Sequence, residues 1–123
     1  MSDRMPQEKK MLIIDDERDF CALVQMMMQR ESVHVDCAHN LHEASQFLSK
    51  GHPEIVLLDH NLPDGTGLEY FNQHRIDFDE AKIILITADP SLELKNRAES
   101  AGVELVAKPF GIKKIWEIIR SVA

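Results

Sequence analysis

The sequence has few cysteines and no long apolar run. Its 123 residues include only two cysteines, Cys21 and Cys37, too few for a disulfide framework and not at metal-site spacing. We expect free, mostly buried thiols. No stretch approaches the roughly 18 apolar residues of a membrane helix. After the start, MSDRMPQEKK, the apolar stretch 11–14 is too short for the core of an export signal. The small number of cysteines, the lack of a membrane-length apolar run and the lack of an export-signal core predict a cytoplasmic protein that does not enter a membrane.

An excess of positive charge is also missing. The chain has 14 Lys and Arg against 21 Asp and Glu, a formal net charge of −7. Domains that bind nucleic acid are usually basic, so we expect no direct nucleic acid binding. The hydrophobic content of 44% and charged content of 28% are ordinary for a soluble globular protein. The length suits one domain with a substantial core.

The sequence does contain short apolar runs that alternate with stretches of helical spacing. Five runs predict strands, at 11–14 (MLII), 33–37 (VHVDC), 55–58 (IVLL), 83–86 (IILI) and 103–107 (VELVA). In the first helical stretch, Leu23, Met27 and Met28 share one face. In the last, 111–122, Ile118 lies off the main apolar stripe and is a candidate exposed contact for a partner. Five strands alternating with five helices predict a parallel sheet with helices on both faces.

Polar residues follow four of these predicted strands. Asp15 and Asp16 follow the first, Asp59 the third, Thr87 ends the fourth, and Lys108 follows the fifth. In such sheets, ligands bind beyond the carboxyl ends of the strands. Three clustered carboxylates raise one another's pKa or require a cation, and oxygen ligands suit magnesium. Because a carboxylate can form an aspartyl phosphate and a lysine can contact a phosphoryl oxygen, the set points to phosphoryl transfer onto a carboxylate.

These residues, in this order, give the chain its resemblance to response-regulator receiver domains of two-component signalling. The matching segments are LIIDDE, VLLDHNLPDGTG, LITAD and AKPF. The resemblance runs over about residues 10–122, so we interpret 1–123 as a single receiver domain with a flexible N-terminal extension at 1–9. It implies an α/β, flavodoxin-like fold: one doubly wound, five-stranded parallel sheet of order 2-1-3-4-5 with five helices.

The resemblance implies a phosphoacceptor and a metal site. Asp59 would accept the phosphoryl group, and Asp16 would bind Mg²⁺ directly, with Asp15 acting largely through water. Asp59 itself and the backbone carbonyl of Asn61 would complete the metal ligands, and Mn²⁺ could substitute for Mg²⁺. Gly67 and its neighbours in the loop after Asp59 are interpreted as geometry that supports this residue.

The resemblance also implies how the phosphoryl group is held and sensed. The Thr87 hydroxyl would bond to it, and Lys108 would pair with it and with Asp59, ahead of a cis bond to Pro109. Receivers typically carry Tyr or Phe three residues before this lysine, where this chain has Leu105. We therefore expect a muted or differently routed response on the face formed by the fourth and fifth strands and the helices that follow them.

Two further positions tune the lifetime of the phosphorylated state in this family. They are the second residue after the acceptor and the second after the threonine, here Asn61 and Asp89. Both side chains are polar and small enough to leave water a path, so we expect hydrolysis that is not unusually slow.

The predicted function is a signalling switch rather than a turnover enzyme. It would take its phosphoryl group from a histidine kinase or histidine phosphotransfer protein and act on an unidentified downstream protein or output domain. Formation of a homodimer on phosphorylation is a further alternative. One alternative is a magnesium-dependent phosphatase with an aspartyl nucleophile. Such phosphatases usually carry a second acid two residues after the nucleophile, where this chain has Asn61. A flavin protein would need Ser, Thr or Gly after the first strand. A receiver that no longer takes phosphate is disfavoured because all five chemical residues are present.

Overall fold

The structure, a computed structural model, describes residues 9–29 and 31–120, apart from the side chain of Ile119. The predicted N-terminal extension lies outside the described residues except for Lys9, which begins the first strand. The end of the predicted last helix, at 121–122, also lies outside them.

The main sheet contains five parallel strands. These are β1 (Lys9–Ile14), β2 (Val33–Ala38), β3 (Ile55–Asp59), β6 (Lys82–Thr87) and β7 (Glu104–Ala107). Two short strands, β4 (Asn61–Leu62) and β5 (Gly65–Thr66), form a separate antiparallel hairpin after β3. The order β2-β1-β3-β6-β7 is the predicted 2-1-3-4-5, because β4 and β5 do not join the main sheet.

Five α-helices connect or follow these strands in the described residues. They are α1 (Arg18–Met28), α2 (Leu41–Leu48), α3 (Gly67–Gln73), α4 (Leu92–Ala101) and α5 (Ile112–Arg120), with a 3-10 turn at Arg75–Phe78. Side-chain oxygens cap two of them: Asn40 accepts from the Glu43 N–H at 2.7 Å, and Ser91 accepts from the Leu94 N–H at 3.1 Å. Within the described part of the chain, no helix combines the length and apolar character needed to cross a membrane.

The core consists of two apolar clusters, one on each face of the sheet. Alternate strand residues point to opposite faces, so Leu12 and Ile14 enter one cluster while Met11 and Ile13 enter the other. Helices α2, α3 and α4 contribute to the first cluster, and α1 and α5 to the second. The central strands are therefore buried on both faces, and only their ends can present chemistry.

Two predicted helix faces differ from the observed ones. In α1 the buried residues are Cys21, Val24 and Met28, whereas Leu23 is 40% exposed. At about 100° per residue, position 23 falls well away from a stripe formed by 21, 24 and 28. Ile118 is buried in the second cluster, because it lies three residues after the buried Ile115 on the same helix face. The prediction that Ile118 is an exposed contact is therefore wrong.

Candidate functional site

The sheet brings the predicted site residues to one edge. Strands β1 and β3 are neighbours with Ile14 opposite Leu58, so the next residues, Asp15 and Asp59, arrive side by side. On the other side of β3, strand β6 ends at Thr87, which lies opposite Ala107 of β7. Lys108 follows directly, and its backbone N–H donates to the Thr87 carbonyl at 2.7 Å.

The three aspartates form one cluster. Carboxylate oxygens of Asp15, Asp16 and Asp59 all lie within 4.8 Å of one another. Asp15 and Asp59 are only 0% and 5% exposed, while Asp16 is exposed. Two such charges about 4 Å apart repel by roughly 4 kcal/mol at an effective dielectric of 20. Without a cation the cluster is therefore unfavourable.

One carboxylate oxygen in this cluster accepts no hydrogen bond. Asp15 Oδ1 accepts from the Glu17 N–H at 2.8 Å, but the buried Oδ2 has no hydrogen-bond partner among the described residues. This oxygen lies 3.1 Å from the Lys108 ammonium nitrogen, so its charge is paired although it lacks the hydrogen bond that most buried polar oxygens have. Three carboxylates around it, one of them open to solvent, are the ligands that a hard divalent cation prefers. The residues present therefore fit a divalent metal.

Lys108 lies at the centre of the acidic groups. Its Nζ is 2.8 Å from Glu17 Oε1 and 3.4 Å from Asp59 Oδ2. It is also 3.1 Å from Asp15 Oδ2, an ion pair without hydrogen-bond geometry. Burial by itself would lower the pKa of the Lys108 ammonium group, but the hydrogen bond to Glu17 and the charges of Asp15 and Asp59 hold it above its ordinary value. Lys108 is therefore a fixed positive charge in the site.

Each carboxylate oxygen of Asp59 has its own partner. Its Oδ1 accepts from the Asn61 N–H at 3.1 Å, and its Oδ2 faces Lys108. Burial raises the pKa of the Asp59 carboxyl, and the charge of Asp15 adds to this rise. The Asn61 N–H and Lys108 oppose the rise without cancelling it. Asp59 is thus a desolvated carboxylate with a nearby cation, an arrangement that suits a nucleophile.

Thr87 is buried at the end of β6. Its Oγ1 accepts from the Asp89 N–H at 3.1 Å, which leaves the hydroxyl proton available for another acceptor. The peptide bond between Lys108 and Pro109 is cis, as the resemblance implied.

Two residues contact the site in ways that the sequence did not indicate, and Gly67, already interpreted as support for Asp59, packs closely against it. Glu17 was visible only as a third acid after the first strand, yet it makes the shortest contact to Lys108. His39 follows β2, and its Nδ1 lies 3.1 Å from the Asp15 carbonyl oxygen, to which a protonated Nδ1 would donate. No sequence pattern singles out His39. Gly67 packs so closely that a Cβ there would lie 2.3 Å from the Asp59 carbonyl oxygen.

The positions predicted to tune the switch differ in their burial. Leu105, on β7, is half-buried and packs against the first apolar cluster. Asn61 and Asp89 are exposed. The proposed roles of these side chains, and of the Asn61 carbonyl as a metal ligand, stay predictions.

Comparison with known families identifies the class to which this fold and site belong. Residues 11–120 match the sequence model of the response regulator receiver domain, and the chain belongs to that family. Receiver domains are signalling switches rather than classical enzymes, so this membership favours the switch over the phosphatase and the flavin protein.

Individual relatives agree with the family match. The chain is 30% identical over 112 residues to the response regulator protein PilR of Pseudomonas aeruginosa, covering 90% of this chain but 25% of that protein. It thus spans about a quarter of the length of this curated relative. A response regulator protein from Burkholderia pseudomallei, solved with a phosphorylated aspartic acid, calcium ion and citrate, is 25% identical with a TM-score of 0.80, over 89% of this chain and 65% of that one.

A third relative shows the fold alone. The CheY-like receiver domain protein from Methanospirillum hungatei is 24% identical, with a TM-score of 0.84 over 92% of this chain and 91% of that one.

Proposed function

We propose that the chain is a phosphoacceptor switch in which Asp59 accepts a phosphoryl group from the phosphohistidine of a histidine kinase or a histidine phosphotransfer protein. The observation that carries this proposal is the position of Asp59: buried at the end of β3, 3.4 Å from Lys108 Nζ and clustered with two further aspartates. The phosphorylated aspartic acid in the Burkholderia relative supports the same chemistry.

The transfer forms one bond and breaks another. An Asp59 carboxylate oxygen attacks phosphorus, the bond from phosphorus to the donor's histidine nitrogen breaks, and an acyl phosphate remains on Asp59. Lys108, already beside Asp59, contacts a phosphoryl oxygen, and the Thr87 hydroxyl donates to another. Water later attacks phosphorus, the bond from phosphorus to the Asp59 oxygen breaks, and inorganic phosphate leaves; Asp59 is again a carboxylate and the switch is reset.

Asp15, Asp16 and Asp59 would hold Mg²⁺, with the Asn61 carbonyl as a further ligand and Mn²⁺ as a substitute. When bound, the ion offsets the repulsion between the carboxylates and the incoming phosphoryl group. The cluster of three carboxylates within 4.8 Å of one another supports this assignment, as does the calcium ion in the structure of the Burkholderia relative.

The switch works in the cytoplasm and passes its state to a downstream protein or output domain. PilR, of which this chain matches about a quarter, is itself a response regulator protein, which supports an upstream kinase as the phosphoryl source. A homodimer that forms on phosphorylation is part of this proposal.

Intact-mass measurement tests the proposed function. The wild-type protein, incubated with acetyl phosphate and Mg²⁺, gains the mass of one phosphoryl group, and the Asp59→Ala variant does not. A wild-type protein that gains no mass would overturn the proposal. Equal labelling of both proteins would show that the acceptor is another residue.

A further inference from the structure

A polar cavity of about 350 Å³ lies where α3 and the 3-10 turn after it face α4. Within the described residues, its lining contains two arginines and no acidic side chain; it consists of Asn72, Arg75, Asn96, Arg97, Ser100 and Ala101. The chain as a whole has a formal net charge of −7, so this cavity is a local region of opposite sign. It presents positive charge and hydrogen-bond donors without a competing carboxylate.

Arg75 is held in place at one wall of this cavity. Its Nη2 donates to the Asn72 side-chain oxygen at 3.0 Å and to the Ala101 carbonyl at 3.2 Å. Its guanidinium carbon lies 4.8 Å from the centre of the Phe71 ring. A guanidinium group has five N–H donors, and both of these bonds use Nη2. The N–H groups on Nε and Nη1 therefore remain for a ligand, on a side chain that is already ordered.

Arg97 supplies the second positive charge. It is exposed on α4, one turn before Ala101, and residues four apart lie on the same helix face. Arg97 and the Ala101 carbonyl that holds Arg75 are therefore on one side of α4. The Arg97 guanidinium group forms no hydrogen bond or ion pair with another described residue. It can bind an anion without first breaking an ion pair.

The end of α4 opposes this positive charge only weakly. The carbonyl end of a helix is negative and repels anions. The Ala98 and Glu99 carbonyls, however, accept from backbone N–H groups just after the helix, each at 3.0 Å, and the Ala101 carbonyl accepts from Arg75. Three of the last four carbonyls of α4 are thus paired with N–H donors, which reduces the repulsion.

We propose that this cavity binds a small molecule that carries a phosphate monoester. One guanidinium group satisfies a carboxylate, whereas two favour a doubly charged phosphate, whose oxygens match paired N–H donors. The side-chain amides of Asn72 and Asn96 and the Ser100 hydroxyl can donate to the remaining oxygens. The volume of about 350 Å³ lies near the lower end of the roughly 300–1,000 Å³ typical of small-ligand sites. It suits a ligand little larger than the phosphate group itself.

This site is separate from the phosphoacceptor. None of the residues that line it takes part in the proposed phosphoryl transfer, and binding at the cavity forms no covalent bond. Asp59 can therefore be labelled or not whatever the outcome at the cavity, and failure of either proposal leaves the other standing.

An NMR titration of the isotope-labelled full chain with glycerol 3-phosphate tests the proposal. EDTA removes metal ions from the acidic cluster, which then repels the anion, and chloride keeps the ionic strength constant. The side-chain amides of Asn72 and Asn96 and the backbone amides of Arg97 and Ser100 should shift and saturate along one curve. Glycerol, which lacks the phosphate, should cause no shift.

Two variants of α4 identify the charge that binds. Arg97→Gln should weaken binding about tenfold, since it removes a pair of charge-assisted hydrogen bonds. Lys95→Gln removes one positive charge from an exposed position on the same helix that does not line the cavity. Its affinity should stay within about twofold of the wild type, because solvent and salt screen a surface charge outside the site. Arg75 is left unchanged because it also holds the end of α4.

Shifts that do not saturate, shifts confined to other parts of the chain, or equal affinities of Arg97→Gln and the wild type would overturn the proposal. A phosphoserine peptide gives a further arm. If it bound at least about tenfold more tightly than glycerol 3-phosphate, contacts outside the cavity would carry the binding, and the small-molecule assignment would be wrong. The wild-type titration decides the question even if a variant fails to fold.

Discussion

The Lys108 ammonium group is shared among three carboxylates before any phosphoryl group arrives. Its shortest contact is with Glu17 at 2.8 Å, and its contact with Asp59 is longer, at 3.4 Å. In the proposed transfer Lys108 turns toward a phosphoryl oxygen, so Glu17 competes for it. Glu17 also adds an exposed negative charge beside the site, which repels an anionic phosphoryl donor.

We expect Glu17→Gln to be labelled by acetyl phosphate faster than the wild-type protein, at saturating Mg²⁺. An exposed ion pair is worth up to about 1 kcal/mol, so the expected increase is about two- to fivefold. Glu99→Gln makes the same charge change on an exposed position of α4 and should leave the rate unchanged. A Glu17→Gln rate equal to or below that of the wild type would show that Glu17 does not restrain Lys108.

Asp59 should lower the stability of the metal-free protein at neutral pH. Its pKa is raised above the ordinary value of 3.8, so the folded state binds the proton more tightly than the unfolded state does. Stability therefore falls as the pH rises from 3.8 through the folded-state pKa, and the penalty is complete above it. In EDTA at pH 7, Asp59→Asn should melt at a higher temperature than the wild type, and the difference should shrink toward pH 4.

Asp64 provides a control for this prediction, because its pKa is shifted in the opposite direction and its carboxylate stabilises the fold at neutral pH. Its carboxylate accepts from the Leu41 and His42 N–H groups at the start of α2, and the first of these bonds is the main reason that its pKa is lowered. Asp64→Asn should lower the melting temperature at pH 7. An Asp59→Asn variant no more stable than the wild type would contradict the electrostatic account of the site.

At the scale of elements, α3 must pack closely against the end of β3. A Cβ on Gly67 would lie 2.3 Å from the Asp59 carbonyl oxygen and 2.9 Å from Leu58 Cγ, and backbone cannot yield to it without moving the helix. Gly67→Ala should therefore lower the free energy of unfolding by about 1–3 kcal/mol, measured by urea denaturation. Gly111→Ala, whose Cβ would meet nothing within 4 Å, should stay within about 0.5 kcal/mol. Equal stability of the two variants would contradict the close approach.

The response of α4 and β7 to phosphorylation should be muted. Leu105 lies opposite Leu85 on β6 and has neither the ring plane nor the hydroxyl of the aromatic residue usual in this family. We expect small amide chemical-shift changes in α4 when beryllofluoride, a phosphoryl mimic, is added to the wild type. Leu105→Tyr should enlarge them. A large shift of α4 in the wild type, with Leu105 repacked, would show the expectation to be wrong.

For the whole molecule, the alternation of apolar runs predicted five strands close to their observed bounds, since buried central strands are apolar on both faces. The strand order came from the resemblance, because alternation alone leaves several doubly wound orders open. The hairpin of β4 and β5 was not predicted, since two-residue strands leave no periodic pattern.

The contacts of individual side chains were harder to predict than the strands. The burial of Ile118 and the exposure of Leu23 depend on how each helix is rotated against the sheet. The contacts of Glu17 and His39 depend on segments that meet only after folding. Residues that end strands could be placed from the sequence because parallel strands share an edge, whereas contacts between loops could not.

The most direct test of the whole account locates the phosphoryl group by peptide mapping. Borohydride reduces an aspartyl phosphate to homoserine, and trypsin separates Asp59, in peptide 51–75, from Asp15 and Asp16, in peptide 11–18. After treatment with acetyl phosphate and Mg²⁺, the account predicts homoserine at position 59 and nowhere else. Homoserine at Asp15, Asp16 or Asp64, or its complete absence, would contradict it.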